Sequence, residues 1–436
     1  TFHRNIHLRI FKKIGCKSNT RIFTLGEPLL PPMQLNHYSC AGIKFSRTRA
    51  EVMNLFISAG EPSGDLHGSN LAKALLAHNP AIELFGFGGS KMQEANCKLI
   101  YPLADFAVMG LYQSLKAYPQ FKKILQLAID HFVRCKPDVL VLIDYPGFHW
   151  HLAAAAKKLG IPVIYFVPPQ IWAWASWRVK KMRRLTDLVL CNFPFEETWF
   201  KQNNVPAKLI GHPFYDQILN QKLDEEFIAG EKSKPGLAIG LLPGSRNQEV
   251  AMNFETLFRA ATLLNKQHPE TRFLVAAFSE AHKTTILEKI KNTNLPIEVH
   301  TRKTPEIMNM AYACASVSGS VSLELLGAQT PSVIIFQTSP LMSIAARILK
   351  NTPYITLVNL LAKKELFPER FGYYCSSKWV SDQLSEWVKF PEKRNSLSQE
   401  LGALKASIIS AGASKKGAIE IINFIENKKA QTASAA

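Results

Sequence analysis

The chain has 436 residues, 47% of them hydrophobic and 20% charged. That length exceeds one ordinary core and predicts two domains, and the balance excludes a disordered chain. The formal net charge of +18 favours anionic partners such as nucleic acid, anionic lipid or phosphorylated substrates. Seven dispersed cysteines, with no CxxC pair and no histidine at zinc-ligand spacing, read as reduced thiols and give no structural metal site.

Residues 1–52 carry nine basic and two acidic side chains and no signal-peptide apolar core. Two expectations stay open for them: a transit-like basic segment, or an extension upstream of a true start at Met53. From Met53 onward, apolar strands alternate with glycine-rich turns and amphipathic helices. Strands are expected at 55–58, 82–87, 139–143, 163–166 and 188–190. A turn, Ser58 to Asp65, follows the first, and Asp144 ends the third. The stretch 217–236 is polar and reads as a linker. A second set then begins, with strands at 237–242, 273–278 and 333–336, and the chain is helical after Trp379. Uncharged runs of this kind, alternating with helices, predict parallel sheets covered on both faces. The expected architecture is α/β, two Rossmann-like doubly wound domains at 53–220 and 236–400 facing a cleft, then a C-terminal helix and tail at 401–436.

Leu325 to Ala346 is long enough to span a bilayer but holds Gln329, Pro331, Gln337 and Pro340. It is expected as helix, strand and loop. Chemistry in open α/β sheets sits just beyond the strand C-termini. Asp144 ends an all-apolar strand, where an unpaired buried carboxylate would cost several kcal/mol. It therefore either faces a polar cleft or braces a loop or helix cap. Arg246 follows a strand at a helix start, a position suited to phosphate; the alternative is a surface pair with Glu249. Glu324 opens a helix after Ser318-Gly319-Ser320, either as an acceptor for ligand hydroxyls or as a capping acid. His212 is a substrate contact or a turn histidine bonded to backbone. Between 107 and 127, Met109, Leu111, Tyr112 and Leu115 interleave with lysines, as in a headgroup-layer helix or an ordinary core-facing one. Trp172, Trp174 and Trp177 lie beside Arg178, Lys180, Lys181, Arg183 and Arg184, a pairing suited to anionic lipid.

Eight segments together resemble the lipid-A-disaccharide synthase family: AGEPSGD (59–65), AVMGL (107–111), IDYPGF (143–148), WAW (172–174), GHP (211–213), LLPGSRNQEV (241–250), SGSVSLE (318–324) and LVNLLA (357–362). The resemblance spans about 53–400. It implies a GT-B fold and an inverting transfer from a UDP-2,3-diacylglucosamine donor to a 2,3-diacylglucosamine 1-phosphate acceptor. The product would be a β-1,6 disaccharide 1-phosphate, with release of UDP. It implies Asp144 as general base and Arg246 at the diphosphate. Gly244, Ser245, Ser318, Gly319, Ser320, Glu324 and Asn359 are then expected around the donor, with Glu324 on the ribose. Gly60, Glu61, Ser63, Gly64, Asp65 and His212 are expected on the acceptor side. Met109, Leu111, Tyr112, Leu115, Trp172 and Trp174 are expected toward acyl chains and membrane.

Two positions depart from the family pattern: Pro168-Pro169-Gln170, where the family has a serine, and Gly372, near where a glutamine is expected. Glu369 is a candidate substitute for that glutamine. No cofactor or metal is expected, nor nucleic acid as a partner. The expected setting is a cytoplasmic membrane surface, with a homodimer as the assembly and an organellar address in 1–52 as an alternative. The competing functions are another GT-B UDP-sugar transferase or UDP-N-acetylglucosamine epimerase, and a non-catalytic membrane- or nucleic-acid-binding protein.

Overall fold

The computed structural model describes residues 52–106, 118–340, 343, 352–409 and 411–435. The basic segment therefore lies outside the described residues up to 51, as do Met109, Leu111, Tyr112 and Leu115.

Strands β1 (Asn54–Ala59), β2 (Glu83–Phe87), β3 (Lys98–Tyr101), β4 (Val139–Ile143), β5 (Val163–Phe166), β6 (Leu188–Cys191) and β7 (Ala207–Leu209) form one sheet. All pairs are parallel, in the order β3-β2-β1-β4-β5-β6-β7. Strands β8 (Leu237–Leu242), β9 (Thr271–Ala277), β10 (Ile297–Thr301), β11 (Ala313–Val317), β12 (Ser332–Gln337) and β13 (Glu369–Gly372) form a second parallel sheet, ordered β10-β9-β8-β11-β12-β13. The stretch from Leu325 accordingly divides into the end of the helix Val321–Ala328 and strand β12. Among the described residues no helix is long and apolar enough to cross a membrane.

The strands are uniformly apolar because helices cover both faces. In the first sheet, Phe56, Leu140, Leu142 and Tyr165 point into one core, and Ile57, Val141, Ile143 and Phe166 into the other. The second sheet divides its strands in the same way, with Leu241, Val275 and Val333 on one side and Leu242, Leu274 and Ile334 on the other.

The two lobes exchange helices. After the first sheet, the helix Pro213–Asn220 sends Tyr215 into the second lobe's core, and Ile218 packs where Gly327 has no side chain. The chain end returns the exchange. The helix Ala413–Ala435 lays Ala418, Ile421, Ile422 and Ile425 against the first sheet. Burying each isoleucine contributes about 1.5–3 kcal/mol. Asp216 joins the exchanged helices by accepting from the amides of Gly412, Ala413 and Ser414. The polar stretch expected as a bare linker carries a helix, Glu225–Ser233, whose Glu231 is buried on Arg272 at 2.7 Å.

Candidate active site

Each sheet has one point where strand order reverses, between β1 and β4 and between β8 and β11. A crevice opens there at the C-terminal ends of the strands, which is where such sheets take ligands. In register, Ala59 pairs with Ile143, so the Gly60 turn and Asp144 leave the first sheet side by side. Leu242 pairs with Ser316, which brings Gly244-Ser245-Arg246 and Ser318-Gly319-Ser320 to the second crevice.

In the first crevice, Asp144 and Tyr145 both adopt left-handed backbone, with φ of 45° and 48°. Such conformations cost non-glycine residues of order 1–3 kcal/mol each and persist only where the surroundings enforce them. Gly60 allows the turn, since a Cβ there would lie 2.2 Å from the Tyr145 ring. Burial, and then the charge of Glu61, raise the Asp144 pKa to about 6. Pro146 begins the helix Pro146–Lys158 immediately beyond. The carboxylate is thus attached to a strained strand-to-helix turn, beside a second acid, with its proton affinity lifted toward neutrality. That combination suits a general base.

The rest of the glycine-rich turn is divided in its duties. Ser63 is exposed at the start of the helix Pro62–His78, and Gly64 is buried near Ala59 and Ile143. Asp65, expected at the cleft, is instead buried and accepts from the amides of Gly89, Lys91 and Met92, capping the helix Ser90–Glu94. Three amide donors outcompete a solvent-facing position for this acid. His212 accepts from the Phe214 amide at 3.1 Å and caps its own helix, the turn-histidine alternative. Burial, and then neighbouring His67, lower its pKa to about 3 and keep it neutral.

In the second crevice, Gly244 has φ of 114°, which favours glycine, and Ser245 and Arg246 are exposed beyond it. The helix Asn247–Gln267 starts here. Glu249 occupies that position, accepting from the amides of Ser245 and Arg246 at 3.1 and 3.2 Å and from the Arg246 guanidinium at 3.0 Å. Opposite, Gly319 and Ser320 are exposed at the start of the helix Val321–Ala328, with Ser318 half-buried. Glu324, in its first turn, has no hydrogen-bond or ion-pair partner among the described residues, and burial raises its pKa to about 7. A carboxyl group held in a crevice without protein donors is available to ligand hydroxyls.

Asn359, expected at the donor, is fully buried. Its amide nitrogen donates to the Phe367 carbonyl and Glu369, and its oxygen accepts from the amides of Leu366 and Phe367. Glu369 in turn accepts from Ile355 and Thr356. Asn359 braces the loop between the helix Leu357–Ala362 and β13, and Glu369 the segment that enters that helix. Trp172 also differs from expectation. It is buried edge-on against Phe195 and donates from Nε1 to Glu196 at 3.0 Å, so it does not face an acyl layer. Trp174 closes the same short helix, and Trp177 is exposed. Of the 107–127 stretch, the helix from Tyr118 packs Ile124, Ala128 and Phe132 into the core.

Among the described residues, one cluster has the spacing to hold a cation: Glu231, Glu298 and His300, whose ligand atoms lie within 4.8 Å of one another. Lys234 and Arg272 already approach its carboxylates at 2.7–2.8 Å, and it lies at the β10 edge, away from both crevices. Ion pairing accounts for it.

Two doubly wound lobes with crevices at their switch points define the GT-B class of glycosyltransferases and epimerases. Solved structures bear out that fold: a UDP-N-acetylglucosamine 2-epimerase described as putative, from Listeria monocytogenes (TM-score 0.58, 9% identity, 85% of this chain and 94% of that one), and UGT89C1 of Arabidopsis thaliana (TM-score 0.58, 13% identity, 85% and 99%). The lipid-A-disaccharide synthetase family profile matches residues 55–416. The lipid-A-disaccharide synthase of Trichlorobacter lovleyi is 33% identical over 85% of this chain and 97% of its own length. Lipid-A-disaccharide synthase 1 of Legionella pneumophila strain Philadelphia 1 is 34% identical over 82% and 94%. The chain belongs to the lipid-A-disaccharide synthetase family, and is a glycosyltransferase of lipid A synthesis.

Proposed function

We propose that the protein joins UDP-2,3-diacylglucosamine to 2,3-diacylglucosamine 1-phosphate with inversion, giving the β-1,6-linked disaccharide 1-phosphate and UDP. The observation that carries this reading is the pair of half-sites, one at the switch point of each sheet. One lobe offers a carboxylate whose pKa is raised to about 6, and the other offers a helix start with an arginine and an unpartnered acid. In the reaction, the acceptor's 6-hydroxyl oxygen bonds to the donor's anomeric carbon as the bond from that carbon to the diphosphate oxygen breaks. Asp144 receives the hydroxyl proton. Arg246 and the amides of Ser245 and Arg246 receive the charge that gathers on departing UDP, and Glu324 accepts from the ribose hydroxyls. One well-placed donor to a leaving-group charge contributes about 3–4 kcal/mol. UDP binding is supported by the fold shared with the Staphylococcus aureus protein solved as a UDP co-structure (TM-score 0.58, 12% identity).

The same reading places the protein on an anionic membrane face. Trp177, Lys180, Lys181 and Arg184 are exposed on or beside the helix Val179–Leu185, and these three cations have no acidic partner among the described residues. Co-sedimentation with anionic vesicles should fall when Trp177 and these cations are replaced by alanine; unchanged binding would remove this surface. The function itself is tested by mass spectrometry of the product from defined donor and acceptor. A disaccharide 1-phosphate formed one-to-one with UDP supports it, and UDP release without that product refutes it.

A further inference from the structure

Three buried polar side chains behind Asp144 have no part in the chemistry above. Ser58, His149 and Tyr165 are each fully buried, on β1, the helix Pro146–Lys158 and β5. Two of them meet one backbone atom, and Ser58 backs His149. The carbonyl oxygen of Asp144 lies 2.6 Å from His149 Nδ1 and accepts from the Tyr165 hydroxyl at 2.8 Å. His149 Nε2 lies 2.9 Å from Ser58 Oγ. A carbonyl can only accept, so Nδ1 carries the imidazole proton, and the bare Nε2 accepts from the Ser58 hydroxyl. Burial lowers the His149 pKa to about 4, so the neutral ring keeps this tautomer near neutral pH.

Apolar side chains would fill these positions at lower desolvation cost, and all three polar groups are spent on one turn. That turn is the left-handed pair Asp144 and Tyr145, with Val167 at φ of 58° beside it, its carbonyl oxygen accepting from the Asp144 amide at 3.2 Å. The backbone of Asp144 is therefore held from the helix Pro146–Lys158, from β5 and from Val167 just beyond it, with Ser58 of β1 behind His149.

We propose that His149 and Tyr165, with Ser58 behind them, are positioning residues. They clamp the Asp144 carbonyl, hold the left-handed turn, and so aim the carboxylate at the acceptor hydroxyl. This rests on the reading of Asp144 as the base. A misaimed base slows the chemical step and leaves donor binding in the other lobe untouched.

The test is a double-mutant cycle on the full chain, following UDP release and the binding of UDP. Y165F should lower kcat roughly 10-fold and H149L roughly 100-fold, the scale of a misplacement near 1 Å. H149N, whose amide can still donate, should recover part of the loss. Donor KM and UDP affinity should stay at wild-type values. On a D144N background, neither Y165F nor H149L should slow the residual turnover further, because the group they aim is gone. Losses that multiply with D144N, or that fall equally on UDP affinity, or an unchanged kcat, would overturn the proposal. If H149L does not fold, Y165F decides, since it removes a single oxygen. A D144N protein at wild-type rate would instead defeat the base assignment itself, an outcome distinct from a slow D144N beside fast Y165F and H149L.

Discussion

Glu249 holds the Arg246 guanidinium at 3.0 Å while its other carboxylate oxygen caps the amides of Ser245 and Arg246. In the proposed reaction the diphosphate binds where this acid sits, so donor binding would have to take Arg246 from it. The pair is exposed on the arginine side, and such pairs contribute only about 0–1 kcal/mol to folding. Replacing Arg246 with alanine should therefore leave the melting temperature within a degree or two, yet lower kcat/KM by about 100- to 1000-fold, as loss of one transition-state donor does. Calorimetry beside steady-state UDP release checks both halves. A large drop in melting temperature would make Arg246 a structural residue.

Asp144 must be ionised to take a proton, and its pKa is raised to about 6 by burial and by the charge of Glu61. Activity should therefore fall as pH drops through about 6, with kcat/KM reporting the free enzyme. Glu61→Gln removes a like charge, which lowers the Asp144 pKa and moves the acid limb to lower pH. Burial, the larger cause, remains, so the limb moves only part of the way. A limb that stays in place or moves up would contradict this electrostatic account.

Glu324 carries the opposite consequence for stability. Its folded pKa of about 7 stands above the ordinary glutamate value of 4.5, so its ionised form is penalised in the folded state. Stability linked to this group is fully present below the unfolded pKa and is lost as pH rises through about 7. Glu324→Gln should accordingly melt higher than wild type at pH 8 and no higher at pH 4, while donor KM rises. Thermal scans at the two pH values, beside donor titrations, decide it. A variant less stable at pH 8 would assign the acid to the scaffold.

The exchanged C-terminal helix gives a purely structural prediction. Asp216 caps three amides at its start, and a lost cap costs about 0.5–2 kcal/mol. Asp216→Ala should lower urea stability by that order. Removing residues 413–435 should be far more damaging, because it uncovers the face of the first sheet that Ile421, Ile422 and Ile425 occupy. A truncated protein that melts cooperatively at the wild-type temperature would contradict the packing.

The strands buried on both faces were legible because their runs are continuously apolar, as in Val139–Ile143 and Leu237–Leu242. Strand β11 was not, although it borders the second crevice. Its Ala-Cys-Ala-Ser-Val run has little strand propensity and is held by neighbours on both sides. Edge strands such as Lys98–Tyr101 and Ile297–Thr301 are half exposed and lack the pattern. The destination of the last helix is a long-range fact that periodicity cannot carry. At the site, position after a strand singled out Asp144, Arg246 and Glu324, and the fold carries all three at the C-terminal side of the sheets. That reading did not foresee that Asp65 and Asn359 are spent on backbone amides or that Trp172 is buried on Glu196, since sequence does not reveal such partners. The clamp on Asp144 did leave a signal in the polar atoms of Ser58 and Tyr165 within apolar strands, but only the fold shows that His149 joins them.

The most direct measurement is turnover of Asp144→Asn with UDP-2,3-diacylglucosamine and 2,3-diacylglucosamine 1-phosphate, alongside UDP affinity. The carboxylate is expected to take the acceptor proton in one lobe while the other holds the nucleotide. The variant should bind UDP like wild type and release it from donor at least about 100-fold more slowly, the scale of general-base catalysis. Disaccharide formation at the wild-type rate would contradict the mechanism.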